Sequence, residues 1–128
     1  MHGKVLTIVI LGSLLVSTQI FAQEDVISKR KALMSSNGKD AKAIADAAKE
    51  KDYATIETKA KEIVGNLDAV VKLFPEGSTS EKSRAHPDIW VKNDEFKNKA
   101  ANARKAAEAL SKAAASKNEA EVNIKVKE

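Results

Sequence analysis

The 128-residue sequence contains no cysteine, and this absence excludes several classes of protein. Without thiols the chain can form neither a disulfide scaffold nor a cysteine-based zinc site, and it has no thiol nucleophile. Aromatic residues are scarce as well, at 4%, whereas 31% of the residues are charged. Because strands favour aromatic and β-branched side chains, this composition favours an alanine-rich helical domain over a β-sandwich.

The sequence also lacks the charge pattern of a nucleic-acid-binding protein. It has 22 Lys and Arg against 18 Asp and Glu, which gives a net charge of +4. Residues of both signs are mixed along the chain, and no basic run is interleaved with aromatic residues. We therefore expect one domain at this length and no nucleic-acid partner.

Residues that carry out acid–base or nucleophilic catalysis are missing too. The histidines are His2 and His86, and His86 falls in a polar segment where a solvent-exposed loop residue is expected. No pair of acidic residues lies within an apolar stripe, and the sequence has neither a glycine-rich phosphate loop nor a metal-ligand spacing. These absences predict that the protein is not an enzyme.

The first 22 residues have the pattern of a secretory signal peptide. A short basic start with Lys4 precedes the apolar run Val5–Val16, and a polar segment then ends at the small residue Ala22. The apolar run is shorter than the roughly 20 residues that a bilayer span needs. We expect cleavage after Ala22, which leaves a chain without a membrane span. The alternative is an uncleaved membrane anchor.

Apolar residues spaced three and four apart predict amphipathic helices in the domain 23–128. The first helix is expected over about 26–48, with Asp25 as its N-cap. The second is expected over about 53–74, with Asp52 as its N-cap. Both have an apolar stripe on one face, so they are expected to pack against each other.

A long loop at 75–87 separates these helices from a third, which is predicted over 88–115. Asn118 is then in position to cap a fourth element, but the residues up to Glu128 alternate as in a strand and are too few for a stable isolated helix. The layout predicts an all-α fold, an antiparallel up-down-up-down four-helix bundle whose fourth helix is truncated.

Three residues of the first helix stand out. Met34 lies on its apolar stripe, Arg30 is a charge one turn before it, and Gly38 is a helix-breaking residue one turn after it. Periodicity alone is compatible with ordinary roles, in which Met34 fills the core, Arg30 reaches solvent and Gly38 is a tolerated defect. A ligand beside this helix would give all three a common role.

The segment VISKRKALMSSNG, residues 26–38, resembles the first helix of class II c-type cytochromes, which comprise cytochrome c′ and its low-spin relatives with a methionine ligand. Leu73-Phe74-Pro75 is similar to the end of that family's second helix. His86-Pro87-Asp88-Ile89-Trp90, followed by Phe96-Lys97, resembles the segment ahead of its third helix. The resemblance covers about residues 25–128.

The resemblance implies a four-helix bundle with one haem among its helices. Met34 matches the position of the axial iron ligand in the low-spin relatives, and Arg30 matches an arginine near the haem propionates. A missing side chain at Gly38 would leave room beside the macrocycle. A thioether ligand raises the reduction potential, which suits electron transfer. Periplasmic location, redox partner proteins for the haem-loaded form and self-association into a homodimer are further expectations.

The sequence departs from the family in one respect. The family attaches haem through Cys-x-x-Cys-His near the end of its fourth helix, and this sequence has no cysteine. This predicts a haem-deficient product that lacks the C-terminal attachment segment. Three accounts are compatible with this departure. The reading frame is truncated, the sequence is a fragment of a complete cytochrome, or the family scaffold works without haem. The last account gives the alternative function, a haem-free helical binding or interaction protein of the cell envelope.

Overall fold

A computed structural model describes residues 12–128, with side chains from residue 22, and all regular secondary structure in this part of the chain is helical. The predicted all-α class is confirmed. Residues 1–11 of the predicted signal peptide lie outside the described residues. The α-helices are α1 (Gly12–Lys49), α2 (Tyr53–Val70), α3 (Asp88–Val91), α4 (Asn93–Ala115) and α5 (Glu119–Lys125).

The first helix begins earlier than its apolar stripe indicated. α1 starts at Gly12, so Asp25 lies inside the helix and the prediction of an N-cap there was wrong. The Asp25 carboxylate instead pairs with the Lys29 ammonium group one turn later, at 2.8 Å. Side-chain N-caps are found instead at the starts of α2 and α5, where Asp52 and Asn118 accept backbone hydrogen bonds.

The turn between α1 and α2 follows the predicted capping chemistry. Asp52 is the N-cap of α2, and its Oδ1 accepts a hydrogen bond from the backbone N–H of Thr55 at 3.1 Å. Lys51 has a φ of 56°, which lets the chain reverse within three residues. This short turn brings the end of α1 beside the start of α2.

The predicted second helix divides near its end. α2 stops at Val70, and a 3₁₀ helix, Val71–Leu73, carries the chain to Phe74. Pro75 cannot continue a helix because it has no N–H and clashes with the preceding turn. The tighter 3₁₀ turn is a common way to end a helix.

The single helix predicted over 88–115 was wrong, because α3 and α4 are separated at Lys92, where φ is −113° and ψ is 50°. The indole N–H of Trp90 lies within hydrogen-bond distance of two carbonyl oxygens, at 3.2 Å from Phe74 and 2.8 Å from Pro75. These contacts attach α3 to the chain just after the 3₁₀ helix. They fix the direction of the short helix, which therefore does not continue into α4. The side-chain amide of Asn93 donates to the Ile89 carbonyl at 3.1 Å and closes the break.

One end of the bundle is well packed. α5 is a helix rather than a strand, and the predicted cap is confirmed, since Asn118 Oδ1 accepts from the Glu121 N–H at 3.2 Å. Val122 of α5 is 1% exposed. It completes a buried cluster with residues of the three long helices α1, α2 and α4, namely Ile44, Ala47, Ile56, Ala60, Leu110, Ala113 and Ala114.

α2 lies between α1 and α4 and packs against both. α5 has seven residues and is about 10 Å long, whereas α4 has 23 and is about 35 Å long. α5 therefore covers only the end that holds the buried cluster, and a groove over α2 stays open towards the other end. None of the helices in the described part has the length and apolar character needed to span a membrane.

Candidate functional site

The groove over α2 widens into a pocket of about 670 Å³, within the range of small-molecule sites. α1, the end of α2 with its 3₁₀ turn, and α4 form three of its walls. The loop before α3 supplies the fourth. Its apolar lining consists of Ile27, Met34, Leu67, Val70, Val71, Phe74, Ala85, Ile89, Phe96 and Ala100.

Except for Val71 and the loop residue Ala85, these apolar side chains come from the stripes that the sequence assigned to the core, but they line an open surface. Ile27 is buried at 3% exposure, whereas Met34 is 54% exposed. The Phe74 and Phe96 rings meet edge to face, with centroids 4.8 Å apart, and join the end of α2 to α4. The apolar stripes thus form a core at one end of the bundle and the walls of an open pocket at the other.

The rim of the pocket is basic. Arg30, Lys31, Arg84 and Lys99 line it, and no acidic side chain does. Lys99 pairs with Glu95 at 3.2 Å. Neither Lys31 nor Arg84 forms an ion pair with any side chain in residues 22–128. The pocket therefore combines an apolar body with a positively charged edge.

Arg30 is a buried member of this set, at 4% exposure. Its Nη1 donates to the Leu73 carbonyl at 3.3 Å and to the Ser78 hydroxyl at 2.8 Å. Its Nη2 donates to the Ser78 carbonyl at 2.8 Å and to the Ser83 hydroxyl at 3.2 Å. Within the described residues no carboxylate lies within ion-pair distance of it. Burial lowers the pKa of Arg30 from its ordinary value, but the guanidinium remains charged at neutral pH.

These hydrogen bonds fix the loop between the 3₁₀ turn and α3. Ser78 is 2% exposed, and it is one of the few polar residues buried in the described part. Gly77 next to it has a φ of 71°, a left-handed conformation that favours glycine. The Gln23 side chain of α1 donates to the Gly77 carbonyl. The loop is therefore held against α1, where it forms one wall of the pocket.

The two residues predicted to serve the site, Met34 and Arg30, both line this pocket from adjacent turns of α1. Gly38 does not line it, and a Cβ at that position would meet nothing within 4 Å. No protein atom therefore requires glycine at this position, and room for a macrocycle beside Gly38 stays a prediction. His86 also lies outside this pocket, with its side chain 76% exposed, which confirms the expected solvent-exposed loop position.

Sequence reasoning missed Lys31, Arg84 and Lys99. Lys31 and Lys99 sit on helices where charged residues are common, so nothing distinguished them from other surface residues. Arg84 is in a loop, where periodicity carries no information. Only the packing of three helices and a loop brings these charges to one rim.

The model of the cytochrome c′ family matches residues 25–128 of this sequence. The chain belongs to the cytochrome c′ family. A search of curated proteins found no match. Cytochrome c′ proteins bind haem, act in electron transfer or gas binding rather than as enzymes, and are typically periplasmic.

The pocket fits much of what a cytochrome c′ haem needs. It offers apolar walls for the macrocycle and basic side chains for the propionates. It does not offer everything, because no histidine lines it and the 128 residues contain no cysteine for covalent attachment. In the described residues, no group of three or more His, Cys, Asp or Glu side chains could hold a metal ion.

Proposed function

We propose that this cytochrome c′ family member binds haem in the pocket over α2 for electron transfer, with Met34 as an axial ligand. The observation that carries the proposal is the position of Met34. Its thioether lies on the wall of an apolar pocket of about 670 Å³ in a chain whose residues 25–128 match the family. Bound haem supplies the redox chemistry, and a thioether ligand favours a high reduction potential.

The chain's own residues would hold the haem without covalent bonds. Apolar side chains from α1, α2 and α4 exclude water from the macrocycle faces, while Arg30 keeps the loop closed against α1. The pocket lining has no imidazole, so one strong ligand is missing. We therefore propose that these 128 residues bind haem weakly and are isolated in a haem-deficient state.

The bundle arrangement and location belong to the same proposal. Hydrogen bonds join Arg30, in the middle of α1, to Leu73 after α2, and Asp68 of α2 to Arg104 of α4 at 2.7 Å. These pairings support an up-down-up-down bundle. We propose a periplasmic protein, exported by residues 1–22, whose partners are redox proteins and a second copy of itself.

A haem titration tests the proposal. Haem is added to the full chain with an equimolar amount of imidazole, which supplies the ligand that the pocket lacks and leaves the second position on the iron to Met34, and the spectrum and reduction potential are recorded. We expect a low-spin spectrum for the unaltered protein. Met34→Leu keeps the volume of the side chain but removes the sulfur, so we expect retained binding, a shift towards high spin and a lower potential.

Ser35→Ala is the matched control, since Ser35 is an exposed neighbour on α1 that does not line the pocket. We expect its spectrum and potential to equal those of the unaltered protein. An unchanged spectrum in Met34→Leu would exclude Met34 as the ligand. A chain that binds no haem, yet unfolds cooperatively and associates with rising concentration, would instead favour the haem-free interaction protein of the envelope.

A further inference from the structure

The basic residues of the pocket fall into two groups with different surroundings. Arg30 is buried and makes four hydrogen bonds, whereas Lys31 and Arg84 are exposed and have no ion-pair partner in the described residues. We propose that Lys31 and Arg84 bind the carboxylates of the ligand and that Arg30 does not. The pocket therefore selects a dicarboxylate porphyrin by its charge, with or without iron. This inference rests on the proposed function in assigning a porphyrin to the pocket.

The hydrogen bonds of Arg30 leave little of its guanidinium for a ligand. Its two terminal nitrogens donate four hydrogen bonds, three to Ser78 and Ser83 of the loop and one to the Leu73 carbonyl at the end of the 3₁₀ helix. The face of the group lies 4.5 Å from the centre of the Phe74 ring. A ligand carboxylate would have to replace loop contacts at these nitrogens, so Arg30 is a positioning residue for the loop.

Lys31 and Arg84 have the opposite character. Lys31 follows Arg30 on α1, and Arg84 follows Ser83, which Arg30 holds in place. Both line the pocket, so their apolar stems can lie along a bound ligand while their charged ends meet its carboxylates. Arginine suits a carboxylate because two of its N–H groups can bind both oxygens. Lys99 contributes less because Glu95 already neutralises it in part.

Recognition by these two residues does not require iron. The apolar walls contact the body of the ligand, and the basic rim contacts its acidic groups. Removal of the metal changes neither contact, whereas esterification of the carboxylates removes the charge and keeps the body. Affinity for the acid should also fall as salt rises, because exposed ion pairs are screened.

The probes are protoporphyrin IX without metal and its dimethyl ester. The sequence has one tryptophan, Trp90, whose indole bonds to the carbonyl groups at the end of α2, so quenching of its fluorescence reports an occupied pocket. We expect the full chain to bind the diacid about tenfold more tightly than the diester at low salt. In Lys31→Gln/Arg84→Gln we expect the affinity for the diacid to fall to that for the diester, which should not change.

Lys39→Gln/Lys105→Gln is the matched control, because it removes two positive charges from exposed positions that do not line the pocket. We expect it to keep the preference for the diacid. Equal affinities of the unaltered chain for the two porphyrins would overturn the inference, and so would an equal loss of preference in the control. If Met34 binds the haem iron but the chain does not prefer the diacid to the diester, the inference is overturned and the proposed function is retained. If the chain prefers the diacid but Met34→Leu does not change the haem spectrum, the inference is retained and Met34 is excluded as the ligand of the proposed function.

Discussion

The guanidinium carbon of Arg30 lies 4.5 Å from the centre of the Phe74 ring, at the point where the second long helix ends and the loop begins. Phe74 in turn packs edge to face on Phe96 of α4. One arginine on α1 thus contacts an aromatic pair that joins α2 to α4, while its nitrogens bind the loop that closes the pocket. Arg30 therefore connects all the walls of the pocket, which are formed by α1, the end of the second long helix, α4 and the loop.

Arg30→Met should lower the free energy of unfolding by about 3 kcal/mol, because hydrogen bonds from a charged group are among the strongest in a folded protein. Methionine keeps an unbranched apolar stem, shorter than that of arginine, and loses all four hydrogen bonds, of which three go to the loop and one to the Leu73 carbonyl. Urea unfolding followed by circular dichroism measures the change. Lys31→Met is the control, and its exposed position predicts a change within about 0.5 kcal/mol. A loss below 1 kcal/mol in Arg30→Met would show that other contacts hold the loop.

The helical fold and two of the three predicted N-caps could be read from the sequence because they depend on local chemistry, whereas Asp25 lies inside α1. Asp52 and Asn118 cap α2 and α5 as their positions indicated. The break at Lys92 could not be predicted, because it depends on Trp90 bonding to carbonyl groups about 15 residues earlier in the chain. The spacing of apolar residues does not predict a contact between the Trp90 side chain of α3 and backbone carbonyl groups after the 3₁₀ helix.

The same distinction applies to the candidate site. Met34 and Arg30 were found through a resemblance, and both lie on the pocket wall. The sequence placed Met34 on a core stripe, yet it is 54% exposed, because the part of α1 that carries it faces an open groove. Whether an apolar stripe is covered depends on the other helices, and α5 reaches only the opposite end of the bundle.

Gly38→Ala should stabilise the protein by about 1 kcal/mol, since glycine inside a helix is disfavoured relative to alanine. A Cβ at this position meets nothing within 4 Å, so no contact opposes the gain. Thermal unfolding measures the change. Ala45→Gly, at an exposed position of the same helix, should lower the free energy of unfolding by a similar amount. Destabilisation by Gly38→Ala would reveal a close neighbour that the described structure does not contain.

Gly77→Ala should destabilise the protein, in contrast to Gly38→Ala, although a Cβ at this position also meets nothing within 4 Å. Its φ of 71° is unfavourable for residues with a side chain, so we expect a loss of about 1 kcal/mol in chemical denaturation. Asn tolerates this conformation better than Ala, so Gly77→Asn should lose less. Equal losses in the two variants would mean that the backbone conformation is not the cause.

Asn118→Ala should loosen α5 before the rest of the protein. Its side chain accepts the Glu121 N–H, and loss of such a cap costs about 1 kcal/mol. Hydrogen exchange of the Val122 amide, which bonds to the Asn118 carbonyl at 2.9 Å, should become faster. Asn123→Ala, an exposed change within α5, should leave this exchange nearly unaltered. Slow exchange in both variants would show that burial of Val122 holds the helix without its cap.

The cap at Asp52 makes the stability of α2 depend on pH. Hydrogen bonds from the Thr55 hydroxyl and from its backbone N–H hold the pKa of the Asp52 carboxyl below its ordinary value of 3.8. A carboxyl whose pKa is lower in the folded state stabilises the protein above its unfolded pKa, and this contribution disappears as pH falls through the folded pKa. The melting temperature should therefore decrease as acid is added below about pH 4.

Asp52→Asn keeps an acceptor for the Thr55 N–H but cannot ionise, so its melting temperature should decrease less over the same range. Parallel curves for the two proteins would assign the acid sensitivity to other carboxylates, such as Glu62, whose pKa the Lys59 ammonium group also lowers.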